Sequence, residues 1–201
     1  MTDVPLTGPL QRLIDELKKL PGVGPRSAER IAFHLLKAEK NEAFALADSV
    51  RDVKEKIRPC SRCYNLADAE LCAICADPRR DQSQIVVVEQ PKDLISLEAT
   101  GLITGVYHVL MGQIAALEGV EPEDLTIGAL VERCRRTDVK EVILATNPNV
   151  EGDTTALHIT SLLQNTGVKI TRLARGLAPG AHIEYANRAM LEEALRGRRE
   201  V

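Results

Sequence analysis

The chain has 201 residues, 44% of them hydrophobic and 27% charged, with a net charge of −3, which is a globular balance in a length sufficient for one ordinary domain or two to three small ones. Aromatic residues make up 2% and Trp is missing, so a core must come from Leu, Ile, Val and Ala, and base recognition by stacked rings is not expected to dominate. The mild negative charge excludes a chain that is basic throughout, so any nucleic-acid binding has to be local.

No run of about 18 apolar residues predicts a membrane span. The opening MTDVPLTGPLQRL lacks a basic n-region and an apolar h-region, so no secretion signal is expected. A reducing, intracellular setting follows as an expectation.

Residues 6–19 predict a helix, with Leu10, Leu13, Ile14 and Leu17 on one stripe. Pro21-Gly22-Val23-Gly24-Pro25 breaks it. A second helix is predicted over about 26–38, with Ala28, Ile31, Ala32 and Leu35 on one face. A third is predicted over about 42–57, with Ala43, Leu46, Ala47, Val50 and Val53 facing inward. The two glycines permit a tight turn with unusual dihedrals and a close approach of backbone N–H groups to a phosphate. Pro25 suits the first position of a helix, where its missing N–H costs nothing. The turn and the positive end of the next helix make an anion site, with Lys18, Lys19, Arg26 and Arg30 around it. The spacing resembles the helix-hairpin-helix motif, which grips DNA by its backbone. A plain αα-corner or a hairpin used in subunit packing fits the same residues.

Residues 58–76 have no apolar periodicity and carry Cys60-x2-Cys63 and, eight residues on, Cys72-x2-Cys75. Each Cys-x-x-Cys turn presents two sulfurs to one ion, and two turns complete a tetrahedral thiolate set. Arg58, Arg62, Arg79 and Arg80 can offset part of the negative charge. A redox pair or two disulfides are the alternatives, although a reducing compartment favours metal. With all four positions filled, such a zinc ion is structural, one per subunit. Cys134, on a predicted helix, reads as a buried structural residue. His34, His108, His158 and His182 show no ligand spacing.

Downstream, Ile85-Val86-Val87-Val88 is a continuous β-branched run that suits a strand covered on both faces. Strands are also predicted over 106–110, 142–144 and 168–170, and helices over 126–136 and 154–164. The alternation predicts a mostly parallel α/β sheet. A short helix is predicted over 187–196, followed by a tail with Arg198 and Arg199.

Glu89 ends the first strand, and Ala145-Thr146-Asn147-Pro148-Asn149-Val150-Glu151-Gly152-Asp153 follows a later one. Ligand sites on open α/β sheets gather at that edge. This pairing resembles the Toprim domain of type IA topoisomerases and primases, whose loop runs roughly A-T-D-x-D-x-E-G-E. The resemblance implies Mg²⁺ held by two carboxylates and proton handling by the early Glu. Here both Asp positions are Asn, at Asn147 and Asn149, and amide oxygens cannot supply the charge Mg²⁺ needs. Magnesium binding is therefore expected to be weak or absent. Glu151 and Asp153 are also explained by charge–dipole pairing at a helix N-terminus or by a partner-docking surface.

A helix-hairpin-helix unit, a four-cysteine knot and a Toprim-like domain, in that order, resemble the RecR family of bacterial recombination mediators over essentially the whole chain. The stretches that carry it are 20–30 (LPGVGPRSAER), Cys75-Ala76-Asp77-Pro78, Tyr107-His108-Val109-Leu110 and 145–153. The fold class is then α+β in several parts. It comprises a helix-hairpin-helix unit over 1–57, a four-cysteine zinc finger over 58–76, a Toprim domain over 83–178, and a C-terminal segment over 179–201 with a part in oligomerisation.

The resemblance implies a non-enzymatic protein of the bacterial cytoplasm and nucleoid. It would act with RecO and RecF to help load RecA onto gapped single-stranded DNA. It implies dimers or tetrameric rings that encircle DNA without sequence preference. The DNA would be gripped at Lys19, Gly22, Gly24, Arg26 and Arg30, and RecO engaged at Glu89, Glu151 and Asp153. A Mg²⁺-dependent nuclease or topoisomerase-like Toprim enzyme is the alternative. No nucleotide role is expected for 183–189.

Overall fold

The computed structural model describes residues 6–136 and 138–198; Arg199 lies outside them. Two units cluster separately, residues 1–57 and 58–201.

The first unit is helical. Helix α1 spans Gly8–Lys18, α2 Pro25–Lys37 and α3 Lys40–Lys56. Pro at the start of α1 and of α2 sets the helical φ where no N–H is needed. Helices α1 and α2 pack through Ile14 against Ala28 and Ala32, with Leu10, Leu13, Leu17 and Val23 around them. Ala28 and Ala32 stand one turn apart, and their small side chains let the two backbones approach.

The third helix departs from the expectation. No residue of α3 is buried, and Leu46, Val50 and Val53 are 51%, 60% and 60% exposed. Its apolar stripe is real, yet within the unit it borders an open groove of about 640 Å³. Leu13, Leu17, Leu36, Phe44, Leu46 and Val50 line that groove. Among the described residues of this unit, no fourth helix closes that surface.

The second unit opens with a two-stranded ribbon, β1 Arg58–Pro59 against β2 Leu66–Ala67, and a one-turn helix α4 Ala73–Ala76. None of the three has a hydrophobic period that would announce it. Then come β3 Asp81–Val88, α5 Pro91–Glu98, β4 Gly105–Val109, α6 Ile127–Arg136, β5 Glu141–Leu144, α7 Val150–Leu163, β6 Lys169–Arg172 and α8 Arg188–Arg196. The sheet order is β4-β3-β5-β6 and every pairing is parallel, as the alternating pattern predicts.

Strand β3 shows why its run is unbroken. Ile85 and Val87 pack with α6 and α7 residues on one face, among them Leu130, Ile159 and Leu163. Val86 and Val88 pack with Leu94 and Leu97 of α5, and with Tyr64 and Ile74 of the cysteine-bearing segment, on the other. All four valine and isoleucine side chains of the run are fully buried. Helix α7 begins four residues before the predicted start, because Asn149 caps it by accepting from Gly152 N at 2.8 Å.

Candidate functional site

The cysteine knot comes first in the chain. Cys60, Cys63, Cys72 and Cys75 are all buried, and their Sγ atoms lie within 4.8 Å of one another. Cys63 and Cys72 Sγ stand 3.5 Å apart. Tetrahedral zinc–sulfur bonds of about 2.3 Å require a sulfur separation of about 3.8 Å, so the four residues fit one zinc ion as they stand. At Cys60, burial opposes ionisation, but hydrogen bonds from the backbone of Cys72, Arg62 and Cys63 outweigh it and bring the thiol to about 7. Cys63 is pushed up by its contact with Cys75 and by burial, and Cys72 by burial. A divalent cation removes this competition among thiols.

The basic residues around the knot are only partly those expected. Arg62 Nη1 donates to Cys75 O at 3.3 Å, and Arg58 Nε donates to Ala69 O at 3.3 Å. Arg79 is instead paired with Asp77 at 2.8 Å, and Arg80 with Glu98, Ile103 O and Gly105 O. Arg79 thus closes a local turn, and Arg80 ties the approach to β3 to α5 and the start of β4, not to the knot. Arg133 of α6 reaches the strand that bonds the knot: its Nη1 donates to Tyr107 O at 2.8 Å, and Val109 N of the same strand donates to Cys63 O at 2.8 Å. Burial, the largest influence, holds Arg133 below the ordinary guanidinium range. The expectation for Cys134 holds, since it is buried on the inner face of α6. Of the histidines, His108 is fully buried, packs edge-on against Tyr64, and is held to about 4 chiefly by burial.

The acidic loops meet at the C-terminal edge of the sheet. In the order β4-β3-β5-β6, chain connections diverge between β3 and β5, and ligand crevices form at such a switch point. Glu89 follows β3 and Asn147 follows β5. Glu89 is buried, 4% exposed. Its Oε1 accepts from Asn147 N at 2.8 Å, and its Oε2 accepts from Asn147 Nδ2. Asn149 Oδ1 is occupied by the cap on Gly152 N. Gly152 is required by close approach, since a Cβ there would lie 2.2 Å from Asn147 O and 2.8 Å from Glu89 Oε1. A cleft of about 440 Å³ opens beside Glu89, bordered by Lys92, Gln113, Glu118 and Asn147.

Asp153 does not join Glu89. It pairs with Arg172 at 2.7 Å and with Arg175 through both terminal guanidinium nitrogens, Nη1 and Nη2. The Arg175 hydrogen bonds, with help from Arg172, hold its carboxyl down at about 2. Glu151 sits in the first turn of α7. Sequence reasoning missed Arg172 and Arg175, although one arginine ending a strand at this sheet edge and a second three residues on were a usable signal.

The hairpin of the first unit is built from Leu20–Gly24. Gly22 has φ +79, so it occupies the left-handed region. Gly24 does not: at φ −77 and ψ 172 it is extended and serves as the N-cap of α2. Only one of the two glycines is therefore needed for the turn itself. A Cβ on Gly24 would meet nothing within 4 Å. Lys19 is exposed and paired with Glu16 at 2.8 Å, and Lys18 with Asp15 at 3.1 Å. Arg26 and Arg30 are exposed on α2.

Comparison with known proteins bears on all three features. Residues 10–54 match the family model of the RecR helix-hairpin-helix, 57–77 that of the RecR four-cysteine zinc finger domain, and 83–174 that of the Toprim domain. Recombination protein RecR of Rhodopirellula baltica is 53% identical over 194 residues, covering 96% of this chain and 98% of that protein. The same-named protein of Rubrobacter xylanophilus is 53% identical over 192 residues, covering 96% of each chain.

The chain belongs to the RecR family.

The RecR protein of Chloroflexus aurantiacus matches at 51% identity over 200 residues, which is 100% of this chain and 98% of that one. The expected α+β class of a RecR chain is thus what the structure has: a helical start, a four-cysteine module, a parallel Toprim sheet and a C-terminal helix. Among the described residues no helix is long and apolar enough to cross a membrane.

Proposed function

We propose that this RecR chain is a non-enzymatic, sequence-nonspecific DNA clamp of bacterial recombination and repair. It acts with RecO and RecF in helping to load RecA onto gapped single-stranded DNA. The observation that carries this reading is the N-terminus of α2. Gly24 has an ordinary conformation and open space around it, so neither the turn nor packing within the unit calls for glycine there. Close approach of a phosphate does, with the helix N-terminus and Arg26 and Arg30 beside it. Lys19 and Gly22 complete the contact; the exposed Lys19–Glu16 pair is weak enough to be exchanged for a phosphate.

Zinc, held by Cys60, Cys63, Cys72 and Cys75, is structural. It supplies folding energy to a segment whose apolar contacts are chiefly the cysteines themselves, on the order of 10 kcal/mol in small zinc modules. The site of Glu89 supports a role without magnesium. An amide stands where a metal-binding Toprim enzyme has a carboxylate, and it donates to Glu89. Asp153 is neutralised by two arginines. The surface around Glu89, Glu151 and Asp153 is then a docking face for RecO. The uncovered apolar stripe of α3 supports assembly into dimers or a tetrameric ring, which gathers several small basic hairpins around one duplex. The protein works in the bacterial cytoplasm, on the nucleoid.

The test is DNA binding by the purified protein with and without Mg²⁺. Binding should not require Mg²⁺ and should be steeply salt-dependent. Arg26→Ala with Arg30→Ala should lower the magnitude of the duplex salt slope by about 1.8, at about 0.9 per phosphate contact. Unchanged affinity in the double variant would contradict the reading. So would cleavage or relaxation of plasmid that Glu89→Gln abolishes.

A further inference from the structure

We propose that Arg133, together with Arg62, supplies the outer positive charge of the zinc–thiolate cluster and so ties the metal to the open edge of the parallel sheet. This rests on the reading of the four cysteines as a zinc site.

The need for such charge follows from stoichiometry. Four thiols that bind one Zn²⁺ release four protons, and the resulting cluster carries a net charge of −2. Its four cysteines are 0–4% exposed. A buried charge is costly unless paired or hydrogen-bonded. Two guanidinium groups bring the total to zero.

The sheet edge puts them in reach. Strand β4 is an edge strand, and its residues alternate between the β3 side and the outer side. Leu110 N donates inward to Val88 O at 2.9 Å. Val109 N points outward and donates to Cys63 O at 2.8 Å. Tyr107 O, two residues earlier on the same outer side, accepts from Arg133 Nη1 at 2.8 Å. Residues two apart on a strand are about 6.6 Å apart, so Arg133 and the Cys63 carbonyl attach to the outer side of β4 one strand repeat apart. Arg62, from the first Cys-x-x-Cys turn, reaches Cys75 O at 3.3 Å. One cation thus comes from the knot itself, Arg62, and one from the helix packed on the sheet, Arg133. The knot and Arg133 together close hydrogen-bonding groups of β4 that would otherwise be an open edge.

The experiment uses the full chain with Arg133→Met, Arg133→Lys and Arg62→Met. Zinc content is read by native mass spectrometry, and retention by transfer of zinc to a chromophoric chelator. Arg133→Met, which keeps bulk and loses charge, should release zinc about 10–100-fold more readily, the usual cost of losing an outer-shell partner. Arg133→Lys should retain most of the affinity, and Arg62→Met should weaken it in the same direction. Equal weakening by Met and Lys at position 133 would reduce Arg133 to a packing role and overturn the proposal. Transfer from Arg62→Met at the wild-type rate would overturn the two-cation assignment even if Arg133→Met fails to fold. A wild-type protein without zinc would instead remove the metal reading itself.

Discussion

Asn147 donates both its backbone N–H and its side-chain amide to the buried carboxylate of Glu89. The two residues follow neighbouring parallel strands, β3 and β5, so the contact closes the switch point of the sheet with hydrogen bonds. In a carboxylate pair the same geometry would place like charges together and call for a cation between them.

Asn147→Asp is therefore expected to make the fold respond to magnesium. Removing the amide donor from a buried carboxylate should destabilise the chain by about 1–3 kcal/mol. Millimolar Mg²⁺ should restore part of the loss while leaving the wild-type melting temperature unchanged. A variant as stable as wild type, or indifferent to Mg²⁺, would show that Glu89 does not depend on this neighbour.

The two hairpin glycines should separate on substitution. Gly22→Ala forces a side chain into the left-handed region at φ +79 and should cost about 1–2 kcal/mol of stability. Gly24→Ala has no such strain and open space; its cost should stay within about 1 kcal/mol, as expected of an N-cap change. DNA affinity should nevertheless fall markedly for Gly24→Ala. Paired thermal melts and binding titrations check this, and a Gly24→Ala protein with full DNA affinity would count against phosphate approach at that point.

Asp153 offers a pH test. Arg175 first, and Arg172 with it, hold its carboxyl at about 2 against an ordinary 3.8. Because the folded value is depressed, the stabilisation is complete above the ordinary value and is lost as pH falls toward 2. The side chain is 40% exposed, so solvent screening limits the contribution to about 1 kcal/mol or less. Asp153→Asn should lower the melting temperature near neutrality and converge on wild type in acid. A gap that stays constant across that range would mean the arginine pairing is not its cause.

The uncovered stripe of α3 can be tested by charge. Val50→Glu lies on a surface that is 60% exposed within the unit, so it should leave helix content intact. If copies of the chain meet there, native mass spectrometry should show a shift toward the monomer. An unchanged assembly would place the interface elsewhere.

The sequence alone determined what depends on covalent spacing and short-range period. Two Cys-x-x-Cys turns eight residues apart name their own partners, because each turn aims its sulfurs locally. The Ile85–Val88 run requires cover on both faces, whatever provides it. The Gly22 turn and Pro25 start specify the hairpin within six residues. Tertiary structure decided what depends on which strands become neighbours. Glu89 and Asn147 are 58 positions apart, and no periodicity says that β3 lies beside β5. Arg133 was one basic residue among several near the end of α6, and only the packing of that helix aimed it at the β4 edge. The α3 stripe shows the remaining ambiguity in its plainest form. A helix face that packs in its own core and one left for a partner bury the same kinds of side chain, so their pattern is the same, and only the positions of the other helices tell them apart.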